Sequence, residues 1–300
     1  MRHSSFLYDD DDRMVEKMAP FLSAALRADG GRAVVVLDRR KWDRLSTAIG
    51  PDAGAAVHID RDRFYTRPEA AVAGYDGALR RFVRDGAREV HVFGELPLCA
   101  TDSQRDLWLT YEAILNRAFE HHPVWIMCGY DTREVSEPLI EGALETHPEV
   151  LADGWARSLH YHEPEDVVRS RAPTPVPLEG LHTLPLDGRP GSFRHALSAE
   201  LEAAGVPEAE ADNMLVAAGE VLANAHRHGG ELSSVRLGRV GGSFVCEISD
   251  DGPGIDDPLA GFLPPRPGDS AGAGLWVARQ LTRKLELVPS PHGANVRLWI

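Results

Sequence analysis

The chain is expected to fold as two consecutive α/β units, and three observations carry that expectation. Residues 14–147 alternate strand-like apolar runs with helix-like stripes. A proline-rich stretch, Arg171-Ala-Pro-Thr-Pro-Val-Pro, then interrupts the alternation. Beyond it two helices, a hairpin, a further helix and a terminal hairpin follow, the pattern of an α/β sandwich with helices on one face of a mixed sheet. At 300 residues both units can bury a proper core.

In chain order, Met14, Met18, Phe21, Leu22 and Ala25 recur at helical spacing, and Asp29-Gly30-Gly31 stops that helix. The compact run Ala33-Val-Val-Val-Leu37 within Arg32 to Asp38 suits a strand covered on both faces. A short helix is expected from Lys41 to Ile49 and a strand from Val57 to Asp60. A helix from Pro68 to Asp85 carries Val72, Tyr75, Leu79 and Phe82 on one stripe. Glu89 to Phe93 and Val124 to Cys128 read as strands, with the long amphipathic helix Ser103 to His121 between them. Pro138 to His147 is the last helix of this half. No Walker-type Gly-Lys-Ser/Thr loop follows any of these strands, so this half shows no sequence sign of a nucleotide site.

The boundaries expected are 1–172 for the first unit, 173–190 for the proline-rich linker and first-strand region, and 191–300 for the second unit. There, helices span Phe193 to Ala204 and Glu208 to His228. Strands Ser234 to Val240 and Ser243 to Ser249 are joined at Gly241-Gly242, a natural hairpin turn. The loop Pro258 to Ser270, a helix Ala273 to Leu285, the turn Pro291-His-Gly293 and the strand Asn295 to Ile300 complete the chain.

Composition narrows the function. A formal charge of −14 argues against a coat for nucleic acid or anionic membrane and permits a basic protein partner. No apolar run reaches bilayer length and no export signal is read at the start, where Asp9 to Asp12 form an acidic flank. Cys99, Cys128 and Cys246 are widely spaced, so a disulfide framework is not expected and a reducing cytoplasm is the simplest home. The acidic run itself reads as solvated surface and helix cap.

Three short patterns in the second unit carry chemistry. Glu220-Val-Leu-Ala-Asn224-Ala-His-Arg-His228-Gly229 lies on a helix whose buried stripe is Met214, Ala218, Val221 and Ala225. Glu220, Asn224 and His228 fall at i, i+4 and i+8 on another face. Asp250-Asp-Gly252-Pro-Gly254 ends a strand whose Phe244, Cys246 and Ile248 alternate inward. Gly272-Ala-Gly274-Leu275 opens a helix. Singly, each is as well explained by a solvated helix face, an Asp-Gly turn or a glycine-rich cap. In this order they resemble the N, G1 and G2 boxes of the GHKL ATPases, which share the Bergerat ATP-binding fold.

That resemblance implies ATP and Mg²⁺. An Asn224 carbonyl would complete a Mg²⁺ shell of phosphate oxygens and waters, and Glu220 would act as general base. Asp250 would accept the adenine amino group, with Gly252 and Gly254 allowing close approach of the backbone. Gly272, Gly274 and Leu275 would place phosphate at a helix N-terminus, under a lid formed by Pro258 to Ser270. The short lid and terminal hairpin resemble the RsbW-type anti-sigma-factor serine kinases, over Leu181 to Ile300. Members bind a sigma factor and phosphorylate a STAS-domain anti-anti-sigma partner, and homodimers are usual. Gly219, beside Glu220, is poorly suited to a helix interior and favours the rival reading, a catalytically silent nucleotide-binding module that captures its partner. Histidine kinases need a dimerising helical hairpin, and gyrase-type relatives a further transducer domain; neither is read here.

The first half resembles the MEDS sensory domain through His3…Phe6-Leu-Tyr8-Asp9, Gly94-Glu95, Tyr111-Glu112…Leu115-Asn116, Cys128-Gly-Tyr130-Asp131 and Thr146-His147-Pro148. The fusion of the two looks like the RsbA-like anti-sigma regulators and implies sensory input in series with kinase output. Glu95, Glu112, Cys128, Tyr130, Asp131 and His147 form a candidate sensory pocket for a small molecule, near strand and helix ends where α/β sheets bind ligands. His3, Cys128, His147, His160 and His162 carry metal-competent side chains, but their spacing matches no structural zinc pattern.

Overall fold

The computed structural model describes residues 1–185, 190–229, 231–266, 272–290 and 292–300. The chain divides into two compact units, Met1–Arg171 and Ala172–Ile300. The α/β class expected of both is what the structure shows.

The first unit is a seven-stranded sheet in the order β3-β2-β4-β5-β1-β6-β7. Its elements run β1 (Arg2–Tyr8), α1 (Asp11–Arg27), β2 (Gly31–Leu37), α2 (Arg39–Ile49), β3 (Val57–Asp60), α3 (Arg61–Phe64) and α4 (Pro68–Arg84). They continue β4 (Glu89–Glu95), α5 (Asp102–Ala118), β5 (Val124–Asp131), α6 (Glu137–Thr146), β6 (Glu149–Leu151), β7 (Trp155–Arg157) and α7 (Pro164–Arg171). Every pairing is parallel except β6 with β7. Asp10 and Asp38 start α1 and α2 by accepting the Arg13 and Lys41 amides.

Successive residues of a strand face opposite sides of the sheet. On one side Phe6, Tyr8, Val35, Leu37, Phe93 and Met127 pack against Met14, Met18 and Leu22 of α1. On the other, His3 of β1 and Cys128 of β5 meet Glu112 of α5, and Tyr130 of β5 meets His147 at the end of α6.

β1 is missing from the sequence reading, although it lies between β5 and β6 inside the sheet. Its buried positions include His3, Ser4 and Ser5, which do not read as a hydrophobic run. The acidic run also departs from expectation. Asp10 caps, but Asp11 is buried and paired with Arg40, Arg44 and Arg133.

The second unit is a five-stranded antiparallel sheet in the order β11-β12-β10-β9-β8. Its elements are β8 (His182–Thr183), α8 (Pro190–Ala203), α9 (Glu208–Asn224), β9 (Leu232–Val240), β10 (Ser243–Asp250), α10 (Ala273–Leu281), β11 (Lys284–Val288) and β12 (Asn295–Trp299). Phe244, Cys246, Ile248, Val296 and Leu298 pack against Leu197, Leu201, Met214, Ala218 and Val221, so the helices cover one face as expected, but the sheet expected to be mixed is antiparallel in every pairing. Gly241 and Gly242 both take positive φ in the β9–β10 turn. The proline-rich stretch does more than link: the Val176 carbonyl accepts from Arg297, and Leu178 is buried. Leu186, part of the lid (267–270) and Pro291 lie outside the described residues.

Phe6 is fully buried on the interior strand β1, whereas Leu159 is almost fully exposed. Phe6→Ala is expected to destabilise the first unit by about 3–5 kcal/mol. Leu159→Ala should stay within about 0.5 kcal/mol of the parent. Urea unfolding of both variants checks this.

Candidate functional site

In the second unit, α9 keeps α-helical geometry to Asn224 and then makes a π-helical turn over Ala225–Gly229. Glu220 and Asn224 therefore share a face one turn apart, both partly buried. His228 lies beyond the change of winding and is exposed, so the i+8 relation expected of it does not hold. Turns of this kind occur often at functional sites.

Gly272 is the N-cap of α10, and its φ of 84° is left-handed backbone suited to glycine. Two residues on, Gly274 sits directly on Glu220. A Cβ at that position would lie 2.9 Å from Glu220 Oε2 and 3.5 Å from its carbonyl oxygen. The absence of a side chain thus brings the first turn of α10, with its free amides, against the Glu220 carboxylate.

Asp250 is buried at the end of β10. Its Oδ1 accepts the Gly252 and Ala294 amides, each at 3.0 Å. Gly254 takes a φ of 86°, whereas Gly252 contributes its amide and no left-handed turn. Gly293 is the glycine that sequence reading assigned only to a turn. A Cβ there would lie 1.8 Å from the Asp250 carbonyl oxygen and 2.9 Å from Oδ1. Asp251, also missed, ties this strand end to the segment after α9: its Oδ1 accepts the Glu231 amide, and its own amide donates to the Glu231 carbonyl. Val221, Leu222, Ile248 and Leu275 belong to one core, which holds the three patterns together. Gly219 faces open space, so the structure offers no packing reason for glycine there.

The six residues expected to share a sensory pocket fall into two groups on opposite faces of the first sheet. Glu95 and Asp131 point to the α1–α2 side. There Lys41, fully buried, uses all three of its donors on Tyr8 Oη (2.7 Å), Glu95 Oε2 (2.9 Å) and Asp131 Oδ2 (3.3 Å). The Tyr8 hydroxyl donates to Glu95 Oε1. Burial would lower the Lys41 ammonium, but the Glu95 carboxylate outweighs it and the group is held up. Burial pushes the Glu95 carboxyl up. It acts the same way on Asp131, where Arg133 and then Lys41 overcome it and hold the carboxyl at about 2. Tyr8 entered the sequence analysis only as part of the MEDS resemblance and Lys41 only as a helix start, though Asp38-x-x-Lys41 after a strand was the available signal.

Glu112, Cys128, Tyr130 and His147 lie on the other face, joined by His3. His3 Nε2 is 3.1 Å from Glu112 Oε2 and 3.4 Å from Cys128 Sγ. The Cys128 thiol donates to Glu112 Oε2 at 3.2 Å, and His147 Nε2 lies 3.4 Å from the same oxygen. Burial pushes His3 down to about 4, leaving the ring neutral at pH 7. Burial and the Glu112 charge push the Cys128 thiol well up. For Glu112 burial acts upward, but its contacts with His147 and His3 win and hold it at about 2, a carboxylate. Gly94 makes room on this face: a Cβ would lie 2.7 Å from the Tyr65 hydroxyl and 3.3 Å from that of Tyr75. His160 and His162 are exposed and outside the cluster.

Residues 188–300 match the family model of the histidine kinase-like ATPase domain. Residues 2–148 match that of MEDS, the MEthanogen/methylotroph, DcmR Sensory domain. The chain is a MEDS domain joined to a histidine kinase-like ATPase domain. No curated protein matches it. An ATPase domain of this kind implies use of ATP, and the pairing is that of a signalling regulator. Among the described residues no helix is long and apolar enough to cross a membrane.

Gly274, packed on Glu220, and Gly219, beside Glu220 in its helix, should answer alanine in opposite ways. Gly274→Ala should displace the Glu220 carboxylate and lower ATP turnover at least tenfold with a small change in melting temperature. Gly219→Ala, in open space on a helix, should stabilise by about 0.5–1 kcal/mol. Turnover and unfolding assays on both variants check the pair.

The Asp131 carboxyl is depressed, so its stabilisation is fully present above the unfolded-state value of about 3.9 and is lost as pH falls toward 2. The stability gap between the parent and Asp131→Asn should therefore hold from pH 7 to about 4 and shrink below it. Urea titrations across that range measure the gap.

Proposed function

We propose that this chain is an anti-sigma-factor regulator of the RsbW and RsbA-like kind, a protein serine/threonine kinase governed by its MEDS domain. Its substrate would be a STAS-domain anti-anti-sigma protein, and its second partner a sigma factor. The observation that carries the reading is Gly274 lying on Glu220. It sets a partly buried carboxylate beside a helix N-terminus, a general base next to a phosphate cradle.

In this reading Asp250 accepts the adenine amino group. The Gly252 and Ala294 amides hold its carboxylate in place, and the glycines at 254 and 293 keep the surrounding backbone close. Gly272, Gly274 and Leu275 present amides to the phosphates, and Asn224 would hold Mg²⁺, which neutralises phosphate charge. A partner's serine or threonine hydroxyl attacks the γ-phosphorus in line. The bond from that phosphorus to the β–γ bridging oxygen breaks, ADP leaves, and the hydroxyl proton passes to Glu220. The catalytic contribution of this chain is positioning and proton acceptance. The surface charge suits protein partners rather than nucleic acid or membrane, and the setting is the cytoplasm, with a homodimer as the working form.

Incubation of the chain with labelled ATP, Mg²⁺ and the cell's STAS-domain proteins tests the proposal. Label is expected on one STAS serine or threonine, and its transfer should fall at least a hundredfold in Glu220→Gln and in Asp250→Ala. Glu220→Gln should still bind ATP and capture the sigma factor. ATP binding without any labelled STAS protein would contradict the kinase reading and leave a nucleotide-dependent binding module.

A further inference from the structure

The buried cluster of the first unit is arranged as ligands are around a metal. Asn116 Nδ2 donates to the Ala113 and Thr146 carbonyls, so its Oδ1 must face His3 Nδ1, at 3.2 Å. That contact places the His3 proton on Nδ1. His147 Nδ1 lies 2.8 Å from the Ala143 carbonyl oxygen, an acceptor only, and carries its proton for the same reason. With Nδ1 committed to these acceptors, Nε2 is the ring atom that each histidine turns toward Glu112 Oε2, at 3.1 Å from His3 and 3.4 Å from His147. Two imidazole nitrogens and a thiol converging on one carboxylate oxygen need a proton or a metal ion between them, and a metal ion can serve all of them at once. Outer hydrogen bonds that fix the imidazole in this way are the usual support of metal-bound histidine.

Distances agree. A tetrahedral ion with ligands at about 2.0–2.3 Å requires edges of about 3.3–3.8 Å between ligand atoms. Four of the six edges here measure 3.1–3.4 Å, and all four ligand atoms lie within 4.8 Å of one another. Five buried polar atoms without a hydrogen-bond partner belong to this face: Ser5 Oγ, Tyr111 Oη, Glu112 Oε1, Tyr130 Oη and His147 Nε2. A cleft of about 490 Å³ has His3, Asn116 and Pro148 in its wall, so one of the four ligand residues borders it.

We infer that His3, Glu112, Cys128 and His147 form a binding site for one divalent transition-metal ion, with zinc favoured by the mixed imidazole, thiolate and carboxylate donors. Binding exchanges the Cys128 S–H bond for an S–metal bond and releases the proton to solvent, with no change of oxidation state. Two neutral imidazoles, one carboxylate and one thiolate then balance the double charge of the ion. Sequence spacing hid the site because the donors come from two strands, the middle of a helix and a helix end. One of them, Glu112, stands where His160 and His162 had been the candidates.

The full-length chain, stripped with a chelator and dialysed, is titrated with Co²⁺ and followed by absorption. The expected result is one Co²⁺ per chain, a thiolate-to-cobalt charge-transfer band and strong visible bands of tetrahedral cobalt, all erased by one equivalent of Zn²⁺. Cys128→Ser should remove the charge-transfer band, and Glu112→Gln should weaken binding at least tenfold. A His160→Ala, His162→Ala double variant should bind as the parent does. Should Cys128→Ser fail to fold, Asn116→Ala decides instead: it touches no ion and should weaken Co²⁺ binding about 10–100-fold. Absence of a tetrahedral signal from the parent would overturn the inference, leaving a histidine–glutamate network without metal. A charge-transfer band that survives in folded Cys128→Ser, or unaltered affinity in Asn116→Ala, would do the same. The inference is independent of the kinase reading, because Glu220→Gln should bind Co²⁺ like the parent.

Discussion

A carboxylate taken out of water must meet donors or a cation, or it costs several kcal/mol. Both units are arranged around that requirement. In the first, Glu95 and Asp131 converge on the Lys41 ammonium, and Glu112 on two histidines and a thiol. In the second, Asp250 is held by two backbone amides, and Glu247 by Arg297 and Arg236 across the sheet. The glycines follow from the same need. Gly293 and Gly274 are side-chain-free because a carboxylate or its backbone occupies the space a Cβ would take.

Alternation along β5 gives the first unit two buried polar sites instead of one. Cys128 and Tyr130 turn toward α5, and Asp131, one residue later, turns toward α2. The Lys41 group is a closed network in which each donor has an acceptor, so it stiffens the ends of four structural elements. The histidine cluster differs, since its unpartnered ring nitrogen and hydroxyls leave hydrogen-bonding capacity unused. Of these two clusters, only the histidine cluster has buried polar atoms left without a hydrogen-bond partner.

Much of this was legible in the sequence where local pattern and tertiary role agree. The β9–β10 hairpin, the inward Phe244, Cys246 and Ile248, and the buried stripe of α9 all follow from periodicity and glycine placement. The three ATPase patterns were legible because each combines a residue type with the secondary-structure boundary it needs. β1 was not, because its buried His3, Ser4 and Ser5 are polar and so break the apolar code of an interior strand. Lys41 was hidden for a similar reason: a lysine is read as solvated until the fold supplies two carboxylates and a phenol. The π turn after Asn224 left no local mark, and it is what removes His228 from the face of Glu220.

The central claim is that the second unit reads adenine through Asp250, and nucleotide selectivity tests it most directly. Equilibrium dialysis of the full chain with Mg²⁺ and either ATP or GTP should show ATP bound at least a hundredfold more tightly. In the proposed site the Asp250 carboxylate would accept from the adenine amino group, which guanine lacks at that position. Equal affinity for the two nucleotides, or no binding of ATP, would contradict the account.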